Sequence, residues 1–437
     1  MSDYEYKAEP SCIAGDVPSS TGESAIHCAL SEGAKARILF IERNFDGTVG
    51  GSHRVLLEVL RHMDRRRFEP VVLFYEKHAL VPEFCKFARV LFFTSRGLRI
   101  DTDFPALYCW GRKVPLLLRL LSALQKMYNF SRYAVPEFLA IIGMLMRERI
   151  DLVCINNSPF LTEWLLASRI LGRHCVSYFR GTPLLISKWK GRLFGFYGAI
   201  LSISEAVTEN ARRQGAVVDR FTLVYDGIDA EAVRRQISKQ PEQVRQEWRI
   251  DSGRPLIGLV NNFKQWKGQH IVVEAMRILL TRRQDVMCLL IGDVAESDRG
   301  YAETLRKRVE AHGLSGHVIF TGRRDDVPNL LGALDVVLHA SLSNEGFPRV
   351  ILEAMVLGRP IIASRSGPNV EMIEDGISGF VVQPGHPDAL AERIEEVLAN
   401  SELSAAVGKR AQDRAERLFN IETNMRKTEE VFSCLLR

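Results

Sequence analysis

Short, β-branched apolar runs alternate with helical stretches along almost the whole of this chain. In the first half the runs are Ala36 to Ile41, Pro70 to Tyr75, Val90 to Thr94, Asp151 to Asn157, Cys175 to Gly181, Ala199 to Ile203 and Phe221 to Tyr225. In the second half they are Pro255 to Val260, Val286 to Ile291, Val318 to Gly322, Leu334 to Leu338, Ile361 to Ser364 and Gly379 to Val382. Runs that are apolar along their length, rather than at every second position, suit strands covered on both faces. Strands separated by helices pair in parallel. The expected fold class is therefore α/β, with two Rossmann-like doubly wound parallel sheets facing across a cleft. At 437 residues the chain is long enough for two such cores. Residues 1–34 have no sustained apolar periodicity and read as a disordered tail. The first domain is expected over 35–225, the second over 226–420, and a final helix over 421–437.

The stretch with the densest chemistry is HASLSNEGFPRVILEAMVLGRP, residues 339–360. It follows the buried strand Leu334 to Leu338 and reads as strand, tight turn, helix. Val350, Ile351, Ala354 and Leu357 recur at helical spacing, Pro348 suits the first helical position and Gly358 the stop. The N-terminus of such a helix presents free N–H groups and a positive dipole end, which suits a phosphate. Glu345 stands at that mouth and Glu353 about a turn and a half inside the helix. By spacing alone, a capped surface helix with two solvated glutamates fits equally well. A second strand, glycine turn and helix spans Asn44 to Ser52, with Gly50-Gly51 before a helix whose apolar face is Val55, Leu56, Val59 and Leu60. It is neither a P-loop, lacking G-K-[ST], nor a G-x-G-x-x-G turn.

The run EGFPRVILEAMVLGRPIIAS resembles the nucleotide-sugar site of glycosyltransferase family 4, the retaining group 1 glycosyl transferases of the GT-B fold. Further matches extend over nearly all of residues 36–420. The resemblance implies transfer of a sugar from a UDP- or GDP-linked donor to a glycan, polyprenyl-linked or lipid-linked acceptor in cell-surface polysaccharide synthesis. It implies Glu353 on the ribose hydroxyls, Glu345 on the donor sugar, and the loop at Gly50 and Gly51 close to the diphosphate and the acceptor. The family pattern G-R-x-x-x-x-K-G is met by Lys267-Gly268, while Asn262 occupies the arginine position. A cation at a helix start opposes the dipole, which disfavours a merely structural Lys267. Gly292, Arg323 and the turn Gly346, Phe347, Pro348 and Arg349 complete the implied donor set. Pro348 stands where the family often has glycine, which removes one N–H.

The strand Cys175 to Gly181 matches one that usually ends in a histidine beside the sugar, and here the place belongs to Arg180. An arginine cannot shuttle protons near neutral pH, though it can hold a phosphate or a hydroxyl. Glu345, Lys267 and Arg180 are the candidate catalytic residues, with no metal and no cofactor expected. The turn Asp226-Gly227-Ile228-Asp229 resembles the family's N-G-I-D exit from the first domain. A linker is expected over about 226–250, and the last helix resembles the segment that crosses back onto the first domain.

No run of eighteen or more uncharged apolar residues occurs, so a spanning helix is not expected. Nor does a basic-then-apolar leader open the chain. Eight cysteines without a C-x-x-C pair fit reduced thiols and a cytoplasmic protein. Asp101-Thr102-Asp103 resembles the D-x-D metal motif of GT-A transferases, but paired N-caps explain it and the architecture is wrong for that fold. Residues 35–215 carry 28 basic against 15 acidic side chains, and residues 216–437 carry 29 against 32. Acid-free, basic, apolar spans run from Phe104 to Pro136 and from Trp164 to Ser204. They suit an anionic membrane surface, with the protein peripheral on the inner face of the cytoplasmic membrane, and equally an ordinary helix pair. Nucleic acid is not an expected partner. Two other functions fit parts of the pattern. A glycoside hydrolase would use Glu345 and Glu353 across one glycosidic bond, about 5–9.5 Å apart. A catalytically silent nucleotide-sugar-binding homologue is motivated by Arg180 and Asn262.

Overall fold

The computed structural model describes residues 7–8, 35–42, 50–93, 128, 132, 134–157, 160–181, 188–343 and 345–437. Outside them lie the expected tail apart from Lys7 and Ala8, the loop before Gly50, the Asp101–Asp103 string and most of the first acid-free span.

The first sheet contains β1 (Lys7–Ala8), β2 (Ala36–Glu42), β3 (Phe68–Phe74), β4 (Arg89–Phe92), β5 (Leu152–Asn156), β6 (His174–Phe179), β7 (Ala199–Ser202) and β8 (Phe221–Leu223). Their order is β1-β4-β3-β2-β5-β6-β7-β8, parallel throughout except for β1, which adds antiparallel to the edge of β4. The second sheet contains β9 (Leu256–Val260), β10 (Met287–Ile291), β11 (Val318–Gly322), β12 (Val336–His339), β13 (Ile361–Ser364) and β14 (Phe380–Val382). It is wholly parallel, in the order β11-β10-β9-β12-β13-β14. Central strands are buried residue for residue, as in Leu152–Asn156 and Met287–Ile291. Both faces are covered by helices, so nothing favours alternation. The expected architecture of two facing α/β domains is borne out.

Strand order reverses between β2 and β5 in the first sheet and between β9 and β12 in the second. In an open parallel sheet a crevice forms outside the carboxyl ends of the strands at such a reversal. Both crevices open into the space between the domains.

Two chain crossings join the domains and run side by side. Ile228 and Asn420 form a parallel bridge, and the Ile228 N–H donates to the Phe419 carbonyl at 2.8 Å. The final helix, Ile421–Leu435, then packs into the first domain, where Phe432 meets Phe40 and Phe68 edge-on. The expected linker over 226–250 is not an open connection. It folds as the short helices Ala230–Arg235 and Pro241–Gln246, and Val233, Val244 and Ile250 enter the second domain's core. One apolar residue per turn suffices to anchor so short an element, and the surrounding Gln, Glu and Arg hide that signal. No helix among the described residues is long and apolar enough to cross a membrane.

Candidate active site

At the reversal in the second sheet, the loops after β9 and β12 bring distant residues together. After β9 the chain makes a tight turn, Gln265–Lys267, and begins the helix Gln269–Leu279 at Gly268. Gly268 has a φ of 76°, and a Cβ there would lie 1.9 Å from the Ala340 carbonyl oxygen. Only glycine lets this turn press against the loop after β12. That contact delivers Lys267 Nζ to 2.7 Å from Glu345 Oε2, with both side chains 12% exposed. The ammonium also lies 4.2 Å from the Trp266 ring centre.

Glu345 has two further partners. The Ser341 hydroxyl donates to its Oε1, and His339 Nε2 stands 3.0 Å from the same oxygen. Asn369 Nδ2 donates to the Ser364 carbonyl at 2.9 Å and faces His339 Nδ1 at 3.2 Å. That leaves Nδ1 as an acceptor and puts the ring proton on Nε2, toward the carboxylate. Burial pushes the Glu345 carboxyl up, but His339 and Lys267 outweigh it and hold the group well below the usual carboxylate range. Burial lowers the Lys267 pKa, against the pull of Glu345. The two groups form a charged pair with little access to solvent.

The helix following Glu345 is Arg349–Val356, with Pro348 at its N-cap and Gly358 just past its end at a φ of 63°. Pro348 thus stands one position before the helix rather than first within it. Glu353 lies one turn inside and pairs with Arg349 Nε at 3.0 Å, while Arg349 Nη2 reaches toward Glu58 of the first domain at 3.8 Å. Both glutamates are taken up in ion pairs, Glu345 with Lys267 and Glu353 with Arg349.

Gly346 closes the cleft. A Cβ on it would lie 1.9 Å from the Arg180 carbonyl oxygen, so the turn of one domain touches the backbone of the other. Phe347 does not face the crevice. Its ring packs 5.7 Å from Tyr225 and 5.5 Å from Phe419, sealing the seam between the domains. A second seam contact is Glu371, whose carboxylate accepts from the N–H groups of Glu205 and Ala206 at 2.8 and 2.7 Å. Those are the first residues of the helix Glu205–Arg213 in the other domain.

At the reversal in the first sheet, Glu42 ends β2 and Asn156 ends β5. Asn156 donates to Glu42, and the Ser52 hydroxyl donates to the other Glu42 oxygen at 2.9 Å. Arg180 is buried and turned inward: Nε donates to Asn156 Oδ1 at 2.9 Å and Nη1 pairs with Asp226. Its Nε and Nη1 are thus engaged in a chain running from Ser52 to the domain crossing, while its buried Nη2 meets no acceptor among the described residues. Burial raises the Glu42 pKa although Asn156, Ser52 and Arg180 favour its charged form.

The remaining expected residues are placed as follows. Gly50 and Gly51 open the helix Gly51–His62, with the Gly50 N–H held by His53 Nδ1 at 3.3 Å. A Cβ at Gly51 would meet nothing within 4 Å, so packing does not explain that glycine. Asn262 is exposed, and Gln269 Nε2 donates to its carbonyl at 3.0 Å. The N–H of Gly292 donates to the Gly322 carbonyl at 3.1 Å. Arg323 is exposed beside Asp325. Lys264 is exposed and close enough to Lys267 to lower its pKa. It can therefore supply a second cation here. Sequence reasoning gave no role to Ser341, Asn369, Glu371, Glu42 or Asn156, and did not single out His339 within its stretch. The polar ends of otherwise apolar strands, such as Glu42 and Asn156, were the one available signal.

A family model for group 1 glycosyl transferases matches residues 240–414, and one for glycosyltransferase family 4 matches residues 49–232. Spore coat protein SA of Bacillus subtilis is 30% identical over 302 residues, or 64% of this chain and 77% of that protein. The lipopolysaccharide core biosynthesis glycosyltransferase LpsE of Rhizobium meliloti is 31% identical over 321 residues, or 72% and 84%. The crystal structure of Anabaena HepE in complex with UDP superposes with a TM-score of 0.74 at 24% identity, over 91% of this chain and 100% of that one. Matches of this kind in both halves, on two parallel sheets that face across a cleft, make the chain a member of the group 1, family 4 glycosyltransferases, with the GT-B fold.

Proposed function

We propose that this glycosyltransferase moves a sugar, with retention of anomeric configuration, from a nucleotide-diphosphate sugar to a glycan or lipid-linked acceptor of the cell surface. The observation that carries the reading is the Lys267–Glu345 pair at the mouth of the Arg349 helix. An ammonium kept charged at a helix N-terminus is suited to a diphosphate that gains negative charge as it leaves. The donor is a UDP-sugar in first place and a GDP-sugar in second. HepE has been crystallised with UDP and with UDP-glucose, which supports the uridine reading. Glu353 takes the ribose hydroxyls, and Glu345, held ionised by its partners, accepts hydrogen bonds from the donor sugar. In the transfer the bond from the anomeric carbon to phosphate breaks, a bond to the acceptor oxygen forms on the same face, and the acceptor proton goes to the leaving phosphate. Lys267, Lys264 and the N–H groups at the helix start carry that charge without a metal.

The acceptor side is proposed to meet the inner face of the cytoplasmic membrane. Leu139, Met146, Leu166, Ile170 and Phe196 are exposed on the helices Val135–Arg147 and Thr162–Ile170 and the turn beyond them. Arg169 lies 5.4 Å from the Phe196 ring centre. Apolar side chains with basic neighbours suit an interface of anionic lipid. Relatives acting in lipopolysaccharide core synthesis support such an acceptor.

The test is a thermal shift of the purified protein against UDP, GDP and ADP, together with turnover of the corresponding sugar conjugates. A nucleotide at one hundred times its dissociation constant stabilises by about 2.7 kcal/mol. The expected result is one responding nucleotide, with the response lost in Lys267→Ala. A folded Lys267→Ala protein that binds and turns over like wild type would overturn the assignment.

A further inference from the structure

At the other end of the second sheet, away from the cleft, lies a cavity of about 390 Å³. Pro255, Asp335 and Pro360 stand just before β9, β12 and β13, so the cavity faces the amino ends of these strands, whereas Lys267 and Glu345 follow carboxyl ends. Its wall includes Arg245, Arg254, Arg359 and a single carboxylate, Asp335, together with Ser401 and Ser404.

That carboxylate is already shared. Asp335 Oδ2 accepts from Arg245 Nη2 at 2.9 Å and from the Leu256 N–H at 2.7 Å. Arg245 Nη1 donates to the Arg254 carbonyl and Nη2 also to the Ala333 carbonyl, and Arg254 donates to the Asp285 carbonyl. Arg359 donates from Nη1 to the Leu334 carbonyl at 3.2 Å, but its Nε is buried and meets no acceptor among the described residues. Burial lowers the Arg359 pKa, and although Asp335 opposes this, the charge of Arg245 adds to it. Three arginines against one carboxylate in the wall leave an excess of positive charge in the recess, and a buried donor without an acceptor is costly. The long helix Ser401–Leu418 also starts in this wall, and its dipole adds positive potential.

We propose that this cavity is a second binding site, separate from the donor cleft, for the phosphate group of a small molecule. Guanidinium groups and a helix start are the donors that recognise a phosphate. The volume exceeds what a bare ion needs and falls within the range of small-ligand sites, about 300–1,000 Å³. The occupant carries its phosphate against the Arg359 guanidinium on the side of the cavity lined by Ser401 and Ser404. Arg359 follows the end of the helix that bears Glu353, so the occupant sits at the far end of that element from the donor site.

Isothermal titration with inorganic phosphate and with glucose 1-phosphate, in chloride buffer, tests this on the full-length protein, on Lys267→Ala, on Arg359→Gln and on Ser401→Asp. Lys267→Ala removes the donor cleft's cation. Ser401→Asp places a carboxylate where it favours the helix start but repels an anion, so its loss of binding is not loss of fold. Wild type and Lys267→Ala are expected to bind with a dissociation constant of about 1 mM or below. Arg359→Gln and Ser401→Asp are each expected to weaken binding at least about tenfold with an unchanged circular dichroism spectrum. Tighter binding of the ester supports an organic phosphate as occupant, and equal binding supports the free ion. Absence of binding by wild type, loss of binding in Lys267→Ala, or full binding by both cavity variants would each overturn the proposal. None of these results depends on the donor assignment.

Discussion

Replacing Glu345 by glutamine keeps the shape of the site and removes one charge, which makes its consequences calculable. The Ser341 hydroxyl can still donate to the amide oxygen, so the loop keeps an anchor. Lys267 loses the carboxylate 2.7 Å away while remaining only 12% exposed. Removing one partner of a buried pair costs about 3–5 kcal/mol, and the retained anchor points to the lower end, about 3 kcal/mol. For a unit the size of this second domain that corresponds to a fall in Tm of about 6–12 °C.

The pH dependence carries the sharper test. Burial already lowers the Lys267 pKa from the ordinary 10.5, and Glu345 is the group that resists it, so the variant's lysine falls further. In the window between the folded value and 10.5 the unfolded chain binds more protons, hence stability rises with pH. The variant's deficit should therefore be full at neutral pH and shrink toward about pH 10. Urea unfolding of both proteins, followed by circular dichroism at several pH values, measures it. A deficit below about 1 kcal/mol that does not change with pH would mean that the pair behaves as a surface salt bridge, and the reasoning would fail.

At the acid end the folded pKa of Glu345 lies below its ordinary 4.5, so its contribution is complete above that value and is lost as pH falls through the folded one. The gap between wild type and Glu345→Gln in acid unfolding should shrink steadily as pH falls below about 4.5, and a gap that stays constant there refutes the depressed pKa. Gly346→Ala puts a methyl group 1.9 Å from the Arg180 carbonyl, so the domains cannot close. Its kcat/KM should fall more than about tenfold, or 1.4 kcal/mol, while the nucleotide thermal shift remains, and retained turnover would show that this contact is dispensable. Phe419→Ala empties a fully buried place against Tyr225 and Phe347, and unfolding should show a loss of about 3–5 kcal/mol. Glu371→Ala removes the carboxylate bridging to the Glu205 helix, so small-angle scattering should give a larger radius of gyration, and an unchanged radius would rule out a latch.

Most of the fold was legible because a strand covered on both faces must be apolar at every position. Ile38 to Ile41 and Met287 to Ile291 leave no other choice. The Lys267-Gly268 turn and the Glu345 to Glu353 spacing were legible because both depend on neighbours within a few positions. Arg180 was readable as an unusual residue but not as one turned inward. Its partners Asn156 and Asp226 lie 24 and 46 residues away and reach it through strand order alone. Phe347 was assigned to the donor for a similar reason. Its place in the turn was plain, but Tyr225 and Phe419 meet it only once the two crossings lie side by side.

The amino-acid sequence by itself determined two parallel sheets, the strand, turn and helix around Glu345 and the charged residues at its mouth. Local periodicity and short spacings suffice for these. The tertiary structure alone decided which charges pair, which way Arg180 and Phe347 turn, and that three arginines surround a cavity behind the sheet. Those outcomes depend on the register and order of strands far apart in the chain, and burial then sets how strongly each pair holds.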